Sequence, residues 1–177
     1  MTGEPPTVFA SSLLPGTYCC ISTTGLIGRV IRMVTRSHYD HAVLVLGNGD
    51  IVEATVTGVR ISRLASYSGR PMCANAAEAM TDAQRAGVCA KARSFAGDEY
   101  GWGTIALIAL RLAGIRPRWL TRLLSDRDAV ICSQLVCEAG EAEGLTSWQC
   151  GEPSPQFVEP AELARRPGME RVIWDTA

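Results

Sequence analysis

The sequence contains only two histidines, His38 and His41, both in the run Ser37-His-Tyr-Asp-His41. Imidazole is the side chain that ordinarily titrates closest to neutral pH, so one of these residues is the leading candidate for a general base. His41 begins an apolar, β-branched run typical of a strand, and from the end of a sheet its side chain could project into a cleft. His38 lies in the preceding loop, where we expect it to be solvated. We therefore take His41 as the candidate base.

The candidate nucleophile is Cys132, which opens the segment Cys-Ser-Gln-Leu-Val136 at the predicted start of a helix. The unpaired N–H groups and the positive dipole end of a helix N-terminus favour a thiolate and can hold a developing oxyanion. The alternative is a buried apolar cysteine, which we expect for several of the other six. Cys137 falls on a different face of the same helix and is expected in the core.

Glu53 is a carboxylate within the otherwise apolar run Ile51-Val-Glu-Ala54. An exposed strand face would explain it, but on His41's face it could accept a hydrogen bond from the imidazole and fix its tautomer. The hairpin register decides between these interpretations. A two-residue loop at Asn48-Gly49 pairs position 47 with 50 and puts 41 and 53 on opposite faces. A three-residue loop, 47 to 49, pairs 43 with 53 and puts them on one face.

Hydrophobic periodicity and turn residues predict the elements that must position these side chains. Strands are predicted at 17–21, 41–46, 51–56, 58–64 and 171–174. Helices are predicted at 25–35, from 82 to about 96, and at 105–113, 117–124 and 130–143. Strands and helices are grouped rather than alternating, which favours an α+β fold over a series of βαβ units.

Three segments carry a resemblance to a known group: Pro15-Gly-Thr-Tyr-Cys-Cys-Ile21, Tyr39 through Glu53, and Cys-Ser-Gln-Leu-Val136. They resemble the circularly permuted papain-like enzymes of the NlpC-type cell-wall peptidase superfamily, which include lecithin retinol acyltransferase. In that group a histidine starts a strand, a polar residue twelve positions later orients it, and the nucleophilic cysteine follows at a helix start. His41 and Glu53 have that separation.

A glutamate in the third position resembles the bacterial YiiX-like branch, as do Gly97-Asp-Glu-Tyr100 and Val158-Glu-Pro-Ala-Glu-Leu163. The resemblance covers about residues 15–165. It implies one permuted papain-like domain over residues 1–177, in which a small antiparallel sheet or partial barrel packs against helices.

The resemblance implies a cysteine hydrolase of the amidase or peptidase type, which cleaves an amide or ester through an acyl-thioenzyme. Cys132 is then the nucleophile, His41 the base and Glu53 the orienting residue, with no cofactor. We assign Tyr39 and Ser133 to substrate binding, although Tyr39 could equally be a packing residue. The substrate is a peptide, a cell-wall stem peptide, another amide or an acyl lipid. The alternatives are a lipid acyltransferase or phospholipase-like enzyme, and a non-catalytic lipid- or ligand-binding protein on the same fold.

A zinc site is a competing interpretation of the histidine segment. His38 and His41, with Asp40 and either Cys19 or Cys20, are residue types that zinc accepts. No Cys-x-x-Cys pair or second compact ligand pair accompanies them. The signal is weak, and we predict no metal.

The stretch Leu107–Leu124 combines Leu, Ile and Trp119 with four arginines and contains no acidic residue. It could lie on an anionic membrane or line a lipid pocket. Two core-packing helices with solvated arginines are the plainer alternative.

The composition is that of an ordinary globular chain: 177 residues, of which 47% are hydrophobic, with a net charge of −1. That charge gives no reason to expect nucleic-acid binding. The seven cysteines are odd in number and irregularly spaced, which favours a reducing compartment over a disulfide framework. We find neither a secretory signal nor a membrane-spanning segment, and so expect a cytoplasmic protein. Release by lysis or in a virus particle fits the same sequence.

Overall fold

The computed structural model describes residues 6–55, 57–98, 132–148 and 158–175. These residues form a seven-stranded sheet with the strand order β1-β7-β6-β2-β3-β4-β5. The strands are β1 (Thr7–Phe9), β2 (Tyr18–Ile21), β3 (His41–Gly47), β4 (Asp50–Thr55), β5 (Gly58–Arg63), β6 (Met72–Ala74) and β7 (Glu170–Ile173). The α-helices in the described part are α1 (Leu26–Thr35), α2 (Asp82–Ser94), α3 (Cys132–Ala142) and α4 (Pro160–Leu163).

The predicted α+β class is confirmed, with corrections to the sheet. It is an open sheet rather than a barrel, and it is mixed because β1 pairs with β7 in parallel. Strands β1 and β6 were not predicted, since three residues are too few for a pattern of period two to stand out. The predicted helices 105–113 and 117–124, and with them the stretch Leu107–Leu124, lie outside the described residues.

The β3–β4 hairpin combines features of the two registers considered from the sequence. Its turn is the two-residue form, because Gly47 pairs with Asp50 and both Asn48 and Gly49 have positive φ. The register nevertheless shifts between Val45 and Gly47, so that Val45 pairs with Ile51 and Val43 with Glu53. A bulge therefore places His41 and Glu53 on one face of the sheet.

Each face of the sheet carries its own hydrophobic cluster. One cluster joins Ala42, Leu44 and Val52 to residues of α2 and α3, among them Cys132. The other joins Val43, Val45 and Ile51 to Leu13, Leu64 and Val172. Cys20 belongs to the first cluster and Cys19 to the second, as expected for neighbouring strand residues.

Cys137 is fully buried on α3, as predicted from its helix face. It is disulfide-bonded, whereas Cys19, Cys20, Cys73, Cys89 and Cys132 are free. No helix in the described ranges is long and apolar enough to cross a membrane.

Helix α1 is attached to the sheet through the carboxylate of Asp40, the residue before β3. Asp40 is buried and accepts hydrogen bonds from the Thr23 backbone N–H, at 2.9 Å, and from the Thr23 hydroxyl. It also pairs with Arg32 of α1. A Cβ on Gly28 would lie 2.2 Å from Asp40 Oδ2, so only glycine lets the helix approach this closely.

Candidate active site

The centre of the site is the Glu53 side chain, which is 1% exposed. Its Oε1 accepts hydrogen bonds from Ser62 Oγ at 2.7 Å and from Arg60 Nε at 3.1 Å. Its Oε2 lies 3.1 Å from His41 Nε2 and accepts a hydrogen bond from the Tyr67 hydroxyl. A buried carboxylate needs such partners, because burial without them would strongly favour its neutral form.

The strand register explains why these groups meet. Glu53 lies opposite Val43 on β3 and opposite Arg60 on β5. His41 and Ser62 are each two residues from those positions, so they share the same face as diagonal neighbours within reach of a long side chain. Tyr67 ends the 3₁₀ turn Leu64–Tyr67 that follows β5.

The network lowers the pKa of Glu53. Burial alone would raise it, but hydrogen bonds from His41, Tyr67 and Ser62 and the charge of His41 outweigh burial and bring the pKa to about 2. The carboxylate is therefore ionised at neutral pH, when it can accept from all of these donors.

His41 joins the carboxylate to the thiol. Nε2 is directed to Glu53, which leaves Nδ1 for the side-chain hydrogen bond with Cys132. Burial would lower the pKa of His41, but the hydrogen bonds with Cys132 and Glu53 and their negative charge raise it to about 10. Because His41 is the first residue of β3, its ring lies at the end of the sheet, where it can contact groups that pack on either face.

Cys132 is the first residue of α3 and is 7% exposed. The first N–H groups of a helix have no partner within the helix, so this position offers hydrogen-bond donors beside the sulfur. The structure thus brings together the three predicted residues Cys132, His41 and Glu53.

A cavity of about 420 Å³ reaches this site from the surface. Its walls include Leu26 and Ile31 of α1, Ala54 of β4, and the polar residues Thr23, Asp40, His41, Thr55 and Tyr67. The cavity therefore combines apolar side chains with polar groups that include the imidazole, as is common in sites that bind small ligands.

Sequence analysis missed Tyr67, Arg60 and Ser62, which bind Glu53. The Tyr67 ring is also tilted beside His41, with ring centroids 5.9 Å apart. Arg60 and Ser62 alternate on β5, and they would have been found if the pairing of β4 with β5 had been known. No sequence signal identifies Tyr67, because its position depends on how the chain turns after β5.

The two residues assigned to substrate binding have other contacts in the structure. Ser133 is fully buried and its hydroxyl donates to the Val158 carbonyl, so its side chain does not line the cavity. Tyr39 is half-buried against the first hydrophobic cluster and hydrogen-bonds with Cys73. Burial raises the pKa of Tyr39. For Tyr39 the packing alternative fits these contacts, and neither assignment gains support from the described residues.

The donor set of the zinc interpretation is not assembled. His38 is exposed, and Asp40 is occupied by Thr23 and Arg32. Across residues 6–55, 57–98, 132–148 and 158–175, no group of three or more His, Cys, Asp or Glu side chains is arranged to hold a metal ion.

Comparison with solved structures finds a similar fold. The crystal structure of metalloprotein YiiX from Escherichia coli O157:H7 (DUF1105) aligns with a TM-score of 0.61, covering 93% of this chain and 99% of YiiX. Sequence identity is 14%, so the likeness is one of fold. No family model matches the sequence, and no curated protein matches it significantly. The α+β architecture is thus of the YiiX type, which the glutamate at position 53 and the flanking motifs had indicated.

Proposed function

We propose that this protein is a thiol hydrolase that cleaves an amide or ester bond through an acyl-thioenzyme, with the order of catalytic residues found in permuted papain-like enzymes. One observation carries the proposal. The buried His41 ring is hydrogen-bonded to the Glu53 carboxylate on one side and to the Cys132 thiol on the other. That arrangement of nucleophile, base and orienting carboxylate is the one that nucleophilic catalysis requires.

In the first half of the reaction, the proton of Cys132 is held by His41 and the sulfur attacks the carbonyl carbon of the substrate. The tetrahedral oxyanion is stabilised by backbone N–H groups at the start of α3. His41 then gives its proton to the leaving nitrogen or oxygen. The C–N or C–O bond breaks, an amine or alcohol departs, and a thioester to Cys132 remains.

In the second half, His41 takes a proton from water, which attacks the thioester carbonyl. The C–S bond breaks, and the acid product is released. The sulfur of Cys132 leaves as a thiolate, and His41 keeps the proton taken from water, which restores the starting state. Acyl transfer follows the same steps with an alcohol or amine in place of water.

Glu53 keeps the imidazole in the orientation that these proton transfers need. Its Oε2 fixes Nε2, so Nδ1 faces the sulfur, and its charge stabilises the imidazolium formed during each half-reaction. Tyr67, Ser62 and Arg60 in turn hold the carboxylate in place.

YiiX is described as a metalloprotein. The described residues of the present chain do not fit a metal site, since they contain no suitable group of ligands and Asp40 and Glu53 are occupied by hydrogen-bond donors. The proposed reaction accordingly contains no metal-dependent step.

The test is to trap the acyl-thioenzyme. The protein is mixed with p-nitrophenyl acetate or an N-acyl p-nitroanilide, quenched in acid, and mapped by mass spectrometry. We expect the acyl group on Cys132 and a burst of nitrophenol or nitroaniline. The Cys132→Ser variant should lose turnover by about 10⁴-fold or more.

The matched control is Cys89→Ser, because Cys89 is a free thiol of nearly equal exposure on α2. This variant should retain turnover within about twofold. Acylation of another residue, or unchanged turnover in Cys132→Ser, would refute the proposed function.

A further inference from the structure

Helix α1 presents a stripe of large apolar side chains to solvent. Leu26 is 76% exposed, Val30 47% and Met33 72%. At about 100° per residue these positions fall within about 60° of the helix circumference. A helix on the surface of a globular domain ordinarily turns such a stripe towards the core, so this outward stripe requires an explanation.

The stripe cannot turn inward without breaking buried contacts on the opposite side of the helix. Gly28 packs there against Asp40 and Thr23, leaving no room for a Cβ. Arg32 donates to the Thr23 carbonyl at 2.7 Å and pairs with the Asp40 carboxylate. These polar contacts fix the rotation of α1, and with it the outward direction of Leu26, Val30 and Met33.

Cations lie beside the stripe, and α1 itself contains no acidic residue. Arg29 and Arg36 are exposed and follow one flank of the stripe. Arg165 reaches the C-terminal end of the helix, where its Nη2 donates to the Thr35 carbonyl. Arg165 lies near the acidic Glu159 and Glu162, whereas Arg29 and Arg36 form no ion pair within the part of the chain that the structure describes.

We propose that α1 docks on an anionic lipid surface. Leu26, Val30 and Met33 enter the acyl boundary of the membrane, and Arg29 and Arg36 contact the lipid phosphates. An apolar stripe with arginines along its edge is the arrangement that binds such interfaces, because it combines buried apolar area with attraction to anionic headgroups.

Docking in this orientation brings one wall of the cavity, Leu26, to the membrane. Leu26 belongs to the stripe and also lines the cavity, as His41 does. The docking proposal does not depend on catalysis. If the protein has no hydrolase activity, α1 could still dock on a membrane, and if α1 does not dock, the hydrolase proposal is unaffected.

The test is flotation of the full chain with phosphatidylcholine vesicles containing about one third phosphatidylglycerol, compared with phosphatidylcholine alone. We expect binding to the anionic vesicles that weakens as salt is added. Leu26→Gln with Met33→Gln should weaken binding by about tenfold or more. Arg29→Gln with Arg36→Gln should also weaken it, by about fivefold per arginine.

The matched control replaces two exposed apolar residues elsewhere, Leu14→Gln with Ile61→Gln, and should leave binding unchanged. Three results would overturn the proposal. The wild-type chain could fail to float with anionic vesicles. The variant that combines Leu26→Gln with Met33→Gln could bind as well as wild type, which would assign binding to another segment such as Leu107–Leu124. Size-exclusion chromatography could instead show a dimer that the α1 variant dissociates, which would make the stripe a contact between copies of the chain.

Discussion

Cys132 and Cys89 are two thiols with the same degree of burial and different surroundings. Both are free, both lie on helices that pack on the same face of the sheet, and they are 7% and 8% exposed. Cys89 donates to the Val45 carbonyl, and burial raises its pKa. Cys132 hydrogen-bonds with His41, which is held by a buried carboxylate. The difference teaches that the partner of a cysteine, rather than its exposure, makes it a candidate nucleophile.

Removal of the base, His41, should abolish the difference in reactivity between the thiols of Cys132 and Cys89. In His41→Ala, Cys132 loses its proton acceptor, and we expect kcat/KM to fall by about 10³-fold in a hydrolysis assay. Alkylation of Cys89 should be unaffected, because the Cys89 thiol donates to the Val45 carbonyl and His41 is not among the groups that shift its pKa. A variant that keeps more than about a tenth of wild-type activity would contradict the assignment of His41 as the base.

Replacing the carboxylate with an amide should have the next largest effect. Glu53→Gln keeps the shape of the side chain but removes the charge that stabilises the imidazolium, so we expect activity to fall by about 10²-fold. The pKa of His41, followed by NMR, should drop below its value of about 10.

The free energy of unfolding of Glu53→Gln should fall by about 2–3 kcal/mol, because an amide NH2 replaces one of the two oxygens that accept hydrogen bonds and then faces groups that also donate. Asp50→Asn is the control on the same strand. The Asp50 carboxylate forms an ion pair with the exposed Arg63, so this change should cost less than about 1 kcal/mol. Equal effects of the two changes on the pKa of His41 would rule out an orienting role for Glu53.

Stability should also depend on pH through the same pair. The pKa of Glu53 is lowered from 4.5 to about 2, so its contribution to stability is present above pH 4.5 and is lost as the pH falls through 2. The pKa of His41 is raised from 6.5 to about 10, so its contribution is present below pH 6.5 and is lost as the pH rises through 10. Chemical denaturation across pH should show both losses in wild type, and the alkaline loss should be smaller in His41→Ala.

Tyr67→Phe should have a smaller effect on activity than Glu53→Gln. It keeps the ring beside His41 but removes a donor to Glu53 Oε2, the oxygen that faces the imidazole. We expect activity to fall by about three- to tenfold, and the pKa of Glu53 to rise, since one donor to its ionised form is lost. Ser62→Ala removes a donor from Oε1 instead and should reduce activity less. The opposite ranking would show that Tyr67 does not position the carboxylate.

Residue type and order along the chain were enough to predict three residues that the structure brings together. His41 is one of only two histidines, Glu53 interrupts an apolar strand, and Cys132 begins a helix. Each of these positions can be recognised from the sequence close to it. His41 and Glu53 differ in type from the residues around them, and Cys132 stands where the hydrophobic periodicity of a helix begins.

The register and the surroundings of the carboxylate could not be predicted in the same way. A two-residue turn implied the wrong face for Glu53, and only the bulge between Val45 and Gly47 restores the pairing that the site needs. Such a bulge leaves no mark in a run of residues that all favour extended backbone. Tyr67 was missed for a related reason, since its contact depends on the packing of a turn after β5 and not on a repeating pattern.

The central claim is that His41 activates Cys132, and pH-resolved alkylation tests it most directly. The wild-type protein and His41→Ala are treated with iodoacetamide from acidic to alkaline pH, and each cysteine is quantified by mass spectrometry. Near pH 6 we predict that wild-type Cys132 reacts at least tenfold faster than Cys89, and that in His41→Ala the two react at about the same rate. Equal rates in wild type, or a fast Cys132 that persists without His41, would contradict the account.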